Sequence, residues 1–447
     1  MRFITEPSKQ IPVILEADLC VIGGSCTGVF AAVQAARRGL SCCIVEKQNC
    51  FGGVATAGMV NVWHSLYSTD GRQQVIGGLT EEMERRLIDR GASVENTASA
   101  GLRFNSEHLK IELDRLVQEH RIHPFLHTRY AGVTAENNCV QAVFIENKDG
   151  RGAIRARFFI DATGDGDLCR DLRLTSYQYP QLQPPSTVFL LNGTTPRERC
   201  DLGKLIAEHG KEFSLIDDWG WFGDVPGLPG ISMRADNHVF GVDCSVAEQL
   251  TQAEIEGRRQ ADAFVRLLQK YADPSYELIA LAQHIGIRDT RHYHTAFRAN
   301  AHDLLTGRRY PDAVLNGTYR IDIHHQQDNG ITFQYLDGQT VTYYGKTEAC
   351  IQSNWREEQG LTGPPATYYQ LPFSVLVGDF KNLIAAGRML NADEDAFGAL
   401  RVMVNLNQLG EAAGVAAAIC LDTGRPLQQI DGCAVRALLN KTGSRIV

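Results

Sequence analysis

Ala17 to Gly58 reads ADLCVIGGSCTGVFAAVQAARRGLSCCIVEKQNCFGGVATAG, and this stretch decides the fold. Leu19 to Ile22 is a short apolar run of strand type, followed by Gly23, Gly24 and Gly28. Val29 to Arg38 carries small apolar residues without a breaker, as a helix packed closely on a sheet would. Gly39 stops that helix, and Cys42 to Val45 forms a second apolar strand that ends at Glu46. Glu46 stands 18 residues beyond Gly28, close to the roughly 20-residue offset of an acid that binds a ribose.

A pyrophosphate at a helix N-terminus meets unpaired backbone N–H groups and the positive end of the helix dipole, provided no side chain blocks it. Gly23 permits the tight turn, and Gly28 lets helix and strand pack closely. Ser25 replaces the middle glycine of G-x-G-x-x-G; it is small, and its hydroxyl can itself donate to a phosphate. Glu46 favours a ribose with free hydroxyls, because its charge would repel a 2′-phosphate. The alternative is a glycine turn in an ordinary α/β unit. Strand, turn, helix, strand and acid in that order favour a dinucleotide.

The residues that follow resemble FAD enzymes with the glutathione-reductase-like flavin fold. Lys47 to Gly58, KQNCFGGVATAG, is similar to the x-G-G-x-A-T-x-G segment of the FAD-dependent oxidoreductase family in that superfamily. Ile160 to Asp167 (IDATGDGD), Asn382 to Arg388 (NLIAAGR), Gly398 to Met403 (GALRVM) and Leu409 to Gly414 (LGEAAG) continue the likeness over most of the chain. The resemblance implies FAD as cofactor. It implies that FAD is bound by Gly23, Gly24, Ser25, Cys26, Thr27, Gly28, Glu46, Lys47, Gly52, Gly53, Ala55, Thr56, Ala162, Thr163, Gly164, Gly387, Arg388 and Arg401.

The chain has 447 residues, 44% of them hydrophobic, and 42 glycines, which suits a compact α/β protein rich in tight turns. A formal charge of −8 gives no broad attraction for phosphate backbones, so no nucleic-acid partner is expected. No stretch approaches the roughly 20 apolar residues of a membrane span. The first residues, MRFITEPSKQIPVILEAD, lack a signal-peptide core, and a cytoplasmic location is expected. The 12 cysteines include no C-x-x-C pair, and Cys20, Cys42, Cys43 and Cys420 sit in apolar runs. Free structural thiols are expected.

Beyond the flavin loop, His64 is a candidate acid, base, substrate ligand or covalent attachment point for the flavin; a structural histidine is the alternative. Thr80 is expected to cap a helix ending near Arg90, and Asn105 to Arg121 reads as a second amphipathic helix. Arg129 to Ala135, Cys139 to Asn147 and Ala153 to Ile160 read as a β-meander leading into the turn at Gly164. Asp165 and Asp167 are assigned to solvated or capping roles rather than to a metal.

From about Leu172 the pattern changes: Tyr177, Tyr179, Pro180, Pro184 and Pro185, then Trp219, Trp221 and Phe222, suggest an inserted substrate lobe. Thr251 is expected to cap a long helix to Tyr271, with Glu254 completing the capping box. His284, Arg288 and Arg291 stand in the segment HIGIRDTRHYH, similar to an Ile-Gly-Ile-Arg-x-Thr-Arg segment of the family. Their guanidinium groups suit bidentate capture of an anion, in substrate or flavin; an arginine network between lobes is the alternative. Asp322, His324 and His325 form a polar cluster read as non-metal. In the family, the helix starting near Arg401 points at the flavin pyrimidine ring, where Arg401 would stabilise the reduced flavin; pairing with Glu394 or Asp395 is the alternative.

The expected architecture is α/β: a Rossmann-like, glutathione-reductase-like FAD-binding domain (1–170 and 368–447) with an inserted α+β substrate lobe (171–367). The expected function is an FAD-dependent oxidoreductase that transfers a hydride between flavin N5 and a small polar substrate bearing a carboxylate or hydroxyl. Arg288 and Arg291 would orient the substrate, and His64 or His284 would exchange its proton. No metal is expected. The electron acceptor is open between oxygen, a quinone and another protein, and a homo-oligomer is compatible with the sequence. A flavin monooxygenase, a tRNA-modifying flavoprotein and a non-catalytic FAD-binding protein are the alternatives.

Overall fold

The computed structural model describes residues 2–96, 101–192, 202–218, 220–345 and 350–447. Trp219, named above among the lobe aromatics, lies outside the described residues.

The opening stretch folds as β1 (Val13–Ile22), α1 (Cys26–Ala36) and β2 (Cys42–Val45). β1 and β2 pair in parallel, with Leu19 opposite Cys42 and Ile22 opposite Val45. Both faces of β1 are covered. Leu19 and Val21 enter the core beneath α1, whereas Cys20 and Ile22 enter a second core on the opposite face. A strand buried on both faces reads as a continuous apolar run, which is what the sequence carries.

Three further strands form the predicted meander: β4 (Arg129–Glu136), β5 (Cys139–Asn147) and β6 (Gly150–Asp161), preceded by β3 (His123–Phe125). Asn137 and Asn138 both have positive φ, 52° and 57°, as a two-residue hairpin turn requires. The sheet order is β3-β2-β1-β6-β5-β4, and the strand Leu383–Ala385 returns from the far end of the chain to pair in parallel with β6.

Four helices matter to the site: α2 (Gly78–Asp89), α3 (Ser106–Glu119), α4 (Ala247–Tyr271) and α5 (Met403–Thr423). Asn105 caps α3 by accepting the Glu107 N–H. The two expected caps are corrected. Thr80 lies buried inside the first turn of α2, where its hydroxyl accepts from Asn407 Nδ2, because the Glu411 carboxylate of α5 already takes the N–H of Leu79. Thr251 lies one turn inside α4, its hydroxyl donating back to the Ala247 carbonyl, and Glu254 instead accepts the N–H of Ile285 at 2.7 Å.

Residues 171–367 add two four-stranded antiparallel sheets. β7 (Phe189–Asn192), β8 (Trp221–Asp224), β9 (Ile231–Ala235) and β10 (Leu278–Leu281) assemble in the order β8-β9-β7-β10, with α4 packed on Phe189 and Leu191. β11 (Ile321–His324), β12 (Gly330–Gln334), β13 (Gln339–Tyr344) and β14 (Cys350–Asn354) form a sequential sheet. Between them, Ala313–Gly317 pairs with Tyr369–Pro372, and Leu304, Leu305 and Leu315 join the core beneath α1.

α1 and α5 touch backbone to backbone. A Cβ on Gly410 would stand 2.2 Å from the Thr27 carbonyl oxygen, and one on Gly414 would stand 2.1 Å from that of Ala31. Gly410→Ala should therefore lower the unfolding free energy by about 1–3 kcal/mol, read by urea denaturation, although alanine is the better helix former. Gly378→Ala, whose Cβ would meet nothing within 4 Å, should change it by less than about 0.5 kcal/mol.

Candidate functional site

A cavity of about 1260 Å³ runs from the glycine turn between β1 and α1 into the space beneath β7–β11. It exceeds the roughly 300–1,000 Å³ of an ordinary small-molecule site, leaving room for a dinucleotide and a further ligand. At one end Gly23, Ser25, Cys26, Thr27, Glu46 and Lys47 line it, with Ala162, Thr163 and Gly164 from the turn after β6. Gly52, Gly53, Gly387 and Arg388 line the middle, and Arg401 to Met403 lead into the other end.

The glycines of the turn serve packing. A Cβ on Gly23 would lie 2.4 Å from the Ala162 carbonyl oxygen, and one on Gly28 would lie 2.0 Å from that of Gly23. Gly28 itself stays outside the cavity lining, as does Gly24. Ser25 caps α1, its Oγ accepting the Gly28 N–H at 3.3 Å. Cys26 and Thr27 begin the helix, so their N–H groups have no acceptor within it. Glu46 is buried, and its carboxylate accepts the N–H groups of Gly24 and Gln48, each at 2.7 Å. Ala55 and Thr56 also lie off the cavity: Thr56 donates to the Phe51 carbonyl and so shapes the Gly52–Gly53 loop.

Asp161, at the end of β6, holds the turn that follows. Its carboxylate accepts the Thr163 N–H and hydroxyl and the N–H groups of Leu168 and Cys169. Burial, with Asp167 beside it, raises its pKa to about 6 despite those bonds. Asp165, expected to be solvated or capping, instead forms a half-buried ion pair with Arg388 and accepts from Thr290 at 2.8 Å. Among the described residues no group of three or more His, Cys, Asp or Glu side chains could hold a metal ion.

The far end is built from side chains. His64 lies against the Tyr319 ring, centroids 3.9 Å apart. Tyr319 donates to Asp322 at 2.7 Å, and Arg401 pairs with the same carboxylate at 3.4 Å. Arg401 thus pairs with neither Glu394 nor Asp395. Arg288 donates to the Pro184 carbonyl and the Ser186 hydroxyl. Arg103 and Arg320 complete the cationic lining; no local motif marks either one, and only the strand pairing that sets Arg103 opposite Val62 brings it in. Arg320 lies over the Phe333 ring at 4.1 Å.

Of the four predicted catalytic residues, His64, His284 and Arg288 line the cavity. The structure does not bring Arg291 there: its guanidinium donates to the Ser245 carbonyl at 2.9 Å, outside the lining. Burial, reinforced by Arg320 and Arg401, lowers the His64 pKa to about 3, so the ring is neutral. That excludes His64 as a cationic acid near neutral pH. His284 donates from Nδ1 to the Ile285 carbonyl, and burial lowers its pKa. Burial lowers the Arg288 pKa to about 10, with Arg401 adding to the effect. Burial favours the neutral form of Asp322, but Arg401, His324 and Arg320 outweigh it and hold the carboxyl well below its usual range.

Among the described residues, eight buried polar atoms on the lining have no hydrogen-bond partner: His64 Nδ1, the Nε atoms of Arg103, Arg320, Arg388 and Arg401, the Tyr130 hydroxyl, Asp322 Oδ1 and Asn407 Oδ1. Unpaired buried donors are costly, and their concentration here fits a site for a large, polar, anionic ligand such as a flavin dinucleotide.

The sequence profile of the family described as FAD dependent oxidoreductase matches residues 18–439. No curated protein is significantly similar in sequence. Among solved structures, a geranylgeranyl bacteriochlorophyll reductase-like protein from Thermoplasma acidophilum is 12% identical over 96% of this chain and 85% of that one, at TM-score 0.46. A myxobacterial chondrochloren halogenase is 12% identical over 96% and 79%, at 0.45. A p-nitrophenol 4-monooxygenase from Pseudomonas putida is 12% identical over 64% and 71%, at 0.41. These are distant likenesses of fold and carry no argument about substrate. No helix among the described residues is long and apolar enough to cross a membrane.

The neutral His64 has a measurable consequence. Unfolded, a histidine takes its proton near pH 6.5; folded, His64 does so only near pH 3. Acidification between those values favours the unfolded chain. From pH 7 to pH 5 the parent should lose about 2 kcal/mol more stability than His64→Asn, compared by denaturation at the two pH values.

Proposed function

The chain belongs to the family of FAD-dependent oxidoreductases, and from that premise we propose that it transfers a hydride between FAD and a small anionic substrate bearing a carboxylate or hydroxyl. The finer assignment to a glutathione-reductase-like flavin domain, interrupted by a substrate lobe at 171–367, is part of the same proposal. So is a homo-oligomeric state. The observation that carries the reading is one continuous cavity that joins a dinucleotide turn to a cluster of guanidinium groups.

Ser25, Cys26 and Thr27 would hold the FAD pyrophosphate, Glu46 the adenosine ribose, and Arg401 with the start of α5 the isoalloxazine. FAD supplies the two-electron chemistry when bound. Arg103, Arg288 and Arg320 orient the substrate anion, with Arg288 fixed by Pro184 and Ser186. His64 offers a neutral imidazole with an unpartnered Nδ1 for the substrate's hydrogen bond. His284, committed through Nδ1 to the Ile285 carbonyl, is left with Nε2 as acceptor and is the better base. Burial of these groups excludes water from the reacting centre.

Flavin monooxygenation is the second reading. The Trp221, Phe222 and Tyr319 rings in the lining would seat an aromatic substrate, and the monooxygenase and halogenase named above share the fold alone. A non-catalytic FAD-binding protein is the third.

The test begins with the visible spectrum of the purified protein before and after acid precipitation. Released flavin is expected; a colourless protein that FAD does not reconstitute overturns the reading. Anaerobic bleaching by a small carboxylate or hydroxy acid supports hydride transfer, and oxygen uptake that requires both an added reductant and an aromatic substrate supports monooxygenation. A yellow protein that no substrate bleaches and no reductant couples to oxygen supports the binding protein. Arg288→Ala should then lower kcat/KM by roughly 10- to 100-fold, the loss of one or two charge-assisted hydrogen bonds, while retaining flavin.

A further inference from the structure

Residues 288 to 292 run from the substrate end of the cavity toward its dinucleotide end, tied down by their side chains. Arg288 donates to the Pro184 carbonyl at 2.7 Å and to the Ser186 hydroxyl at 2.9 Å. Asp289 accepts the Gln183 N–H on Oδ2 at 3.3 Å. The Thr290 hydroxyl donates to Asp165, the partner of Arg388. His292 meets the Leu390 carbonyl through Nδ1, at 2.9 Å, and Asp289 Oδ1 through Nε2, at 3.0 Å. Asp289 and His292 are both buried.

A carbonyl oxygen has no proton to give, so His292 Nδ1 is the donor to Leu390. A neutral imidazole has then spent its only N–H. Nε2 and the Asp289 carboxylate would face each other as two acceptors, so their hydrogen bond needs a second proton. The Gln183 N–H on Oδ2 favours the carboxylate over the carboxylic acid. The Tyr179 and Phe397 rings flank the imidazole, centroids 4.5 and 4.6 Å away, and the Tyr177 ring stacks on it at 5.3 Å. Aromatic rings at that range attract a cation. Both surroundings place the second proton on the ring.

We propose that His292 is an imidazolium ion-paired with Asp289, and that this pair positions the Arg288 guanidinium for the substrate anion. Ser186 and Gly286 exchange both of their backbone N–H bonds, at 3.1 and 2.8 Å. The next tie between the two segments is the one from Gln183 to the Asp289 side chain. Arg288 and the Pro184 carbonyl that holds it stand between these two ties. His292 in turn fixes Asp289 to Leu390, two residues beyond Arg388, so the substrate arginine is referred to the dinucleotide end. Gln183 also accepts the His324 N–H on Oε1, which carries the same reference to β11 and Asp322. A buried ion pair adds little stability over apolar residues of the same volume; what this one fixes is a geometry. Asp289 and His292 touch no ligand and act through Arg288 as positioning residues. Their role rests on the reading of Arg288 as a substrate ligand, whereas the proton count stands by itself.

The experiment is NMR of the ¹⁵N-histidine-labelled full chain with FAD at pH 7.5, the His292 ring assigned from its contacts with Tyr179 and Phe397. Two exchange-protected N–H protons on His292 are expected; a single one overturns the imidazolium. In Asp289→Asn, checked for folding by circular dichroism, the new amide can donate to Nε2 and His292 should keep one N–H. Two there would overturn the pairing. Positioning is read with oxalate, titrated by calorimetry. Its dissociation constant should rise fivefold or more in Asp289→Asn, and less than twofold when the same change is made in Arg288→Ala. A pair that serves stability alone would lower the melting temperature and leave oxalate affinity unaltered; that result overturns the positioning role, as does an equal loss in both backgrounds or a parent that binds no oxalate. Where Asp289→Asn does not fold, oxalate added to the unsubstituted chain should shift the His292 Nε2 resonance, and an unmoved resonance overturns the role. Both signatures in a chain that takes up no FAD would sink the flavin reading and leave the pair standing; a single ring N–H in a yellow protein would do the opposite.

Discussion

The structure depends on the backbone-to-backbone approach of α1 and α5, where Gly410 and Gly414 place helix backbone against the Thr27 and Ala31 carbonyls. Any side chain at those positions would drive the helices apart. The approach fixes both the rotation and the height of α5, and so brings Arg401 to Asn407 into one cavity with Ser25 to Thr27. Glu411, on the same helix, secures the fit. Its buried carboxyl accepts from Gln34 of α1, from Leu79 at the start of α2 and from Ser444 near the chain end. Burial raises its pKa to about 7, and those three donors lower it only in part.

The two ends of the cavity are made of different material. The dinucleotide end is chiefly backbone: turn glycines, the first N–H groups of α1 and loops pinned by Asp161 and Glu46. Backbone dipoles there are fixed by the fold and need no side-chain ordering on binding. The opposite end is guanidinium, carboxylate and imidazole on side chains from 64, 103, 288 and 319–324. A pyrophosphate is the same in every FAD enzyme, whereas a substrate is particular, and side chains can be exchanged without altering the fold that carries them.

What the sequence revealed follows the same division. β2 and β5 have the expected limits, Glu46 closes β2, and the turn residues Gly23 and Ser25 to Thr27 face the cavity. These are local features, written within about 30 residues. The caps at Thr80 and Thr251 were not legible, because Glu411 competes for the first and α4 starts a turn before the second. Arg291 has the same chemistry as Arg288 three residues earlier, yet only the packing sends one to the Ser245 carbonyl and the other to the cavity. His238 carried no motif; it meets His324, 86 residues away, only through the tertiary packing.

More than ten separate stretches of chain, from Ile22 to Asn407, contribute to one cavity wall. No fragment of the molecule can possess the site, so its ligand binds the whole native state or nothing. Occupancy is consequently a term in the folding equilibrium: free cofactor at a hundred times its dissociation constant adds about 2.7 kcal/mol to global stability. A cell short of the cofactor would thus hold less of the folded chain as well as less of its activity.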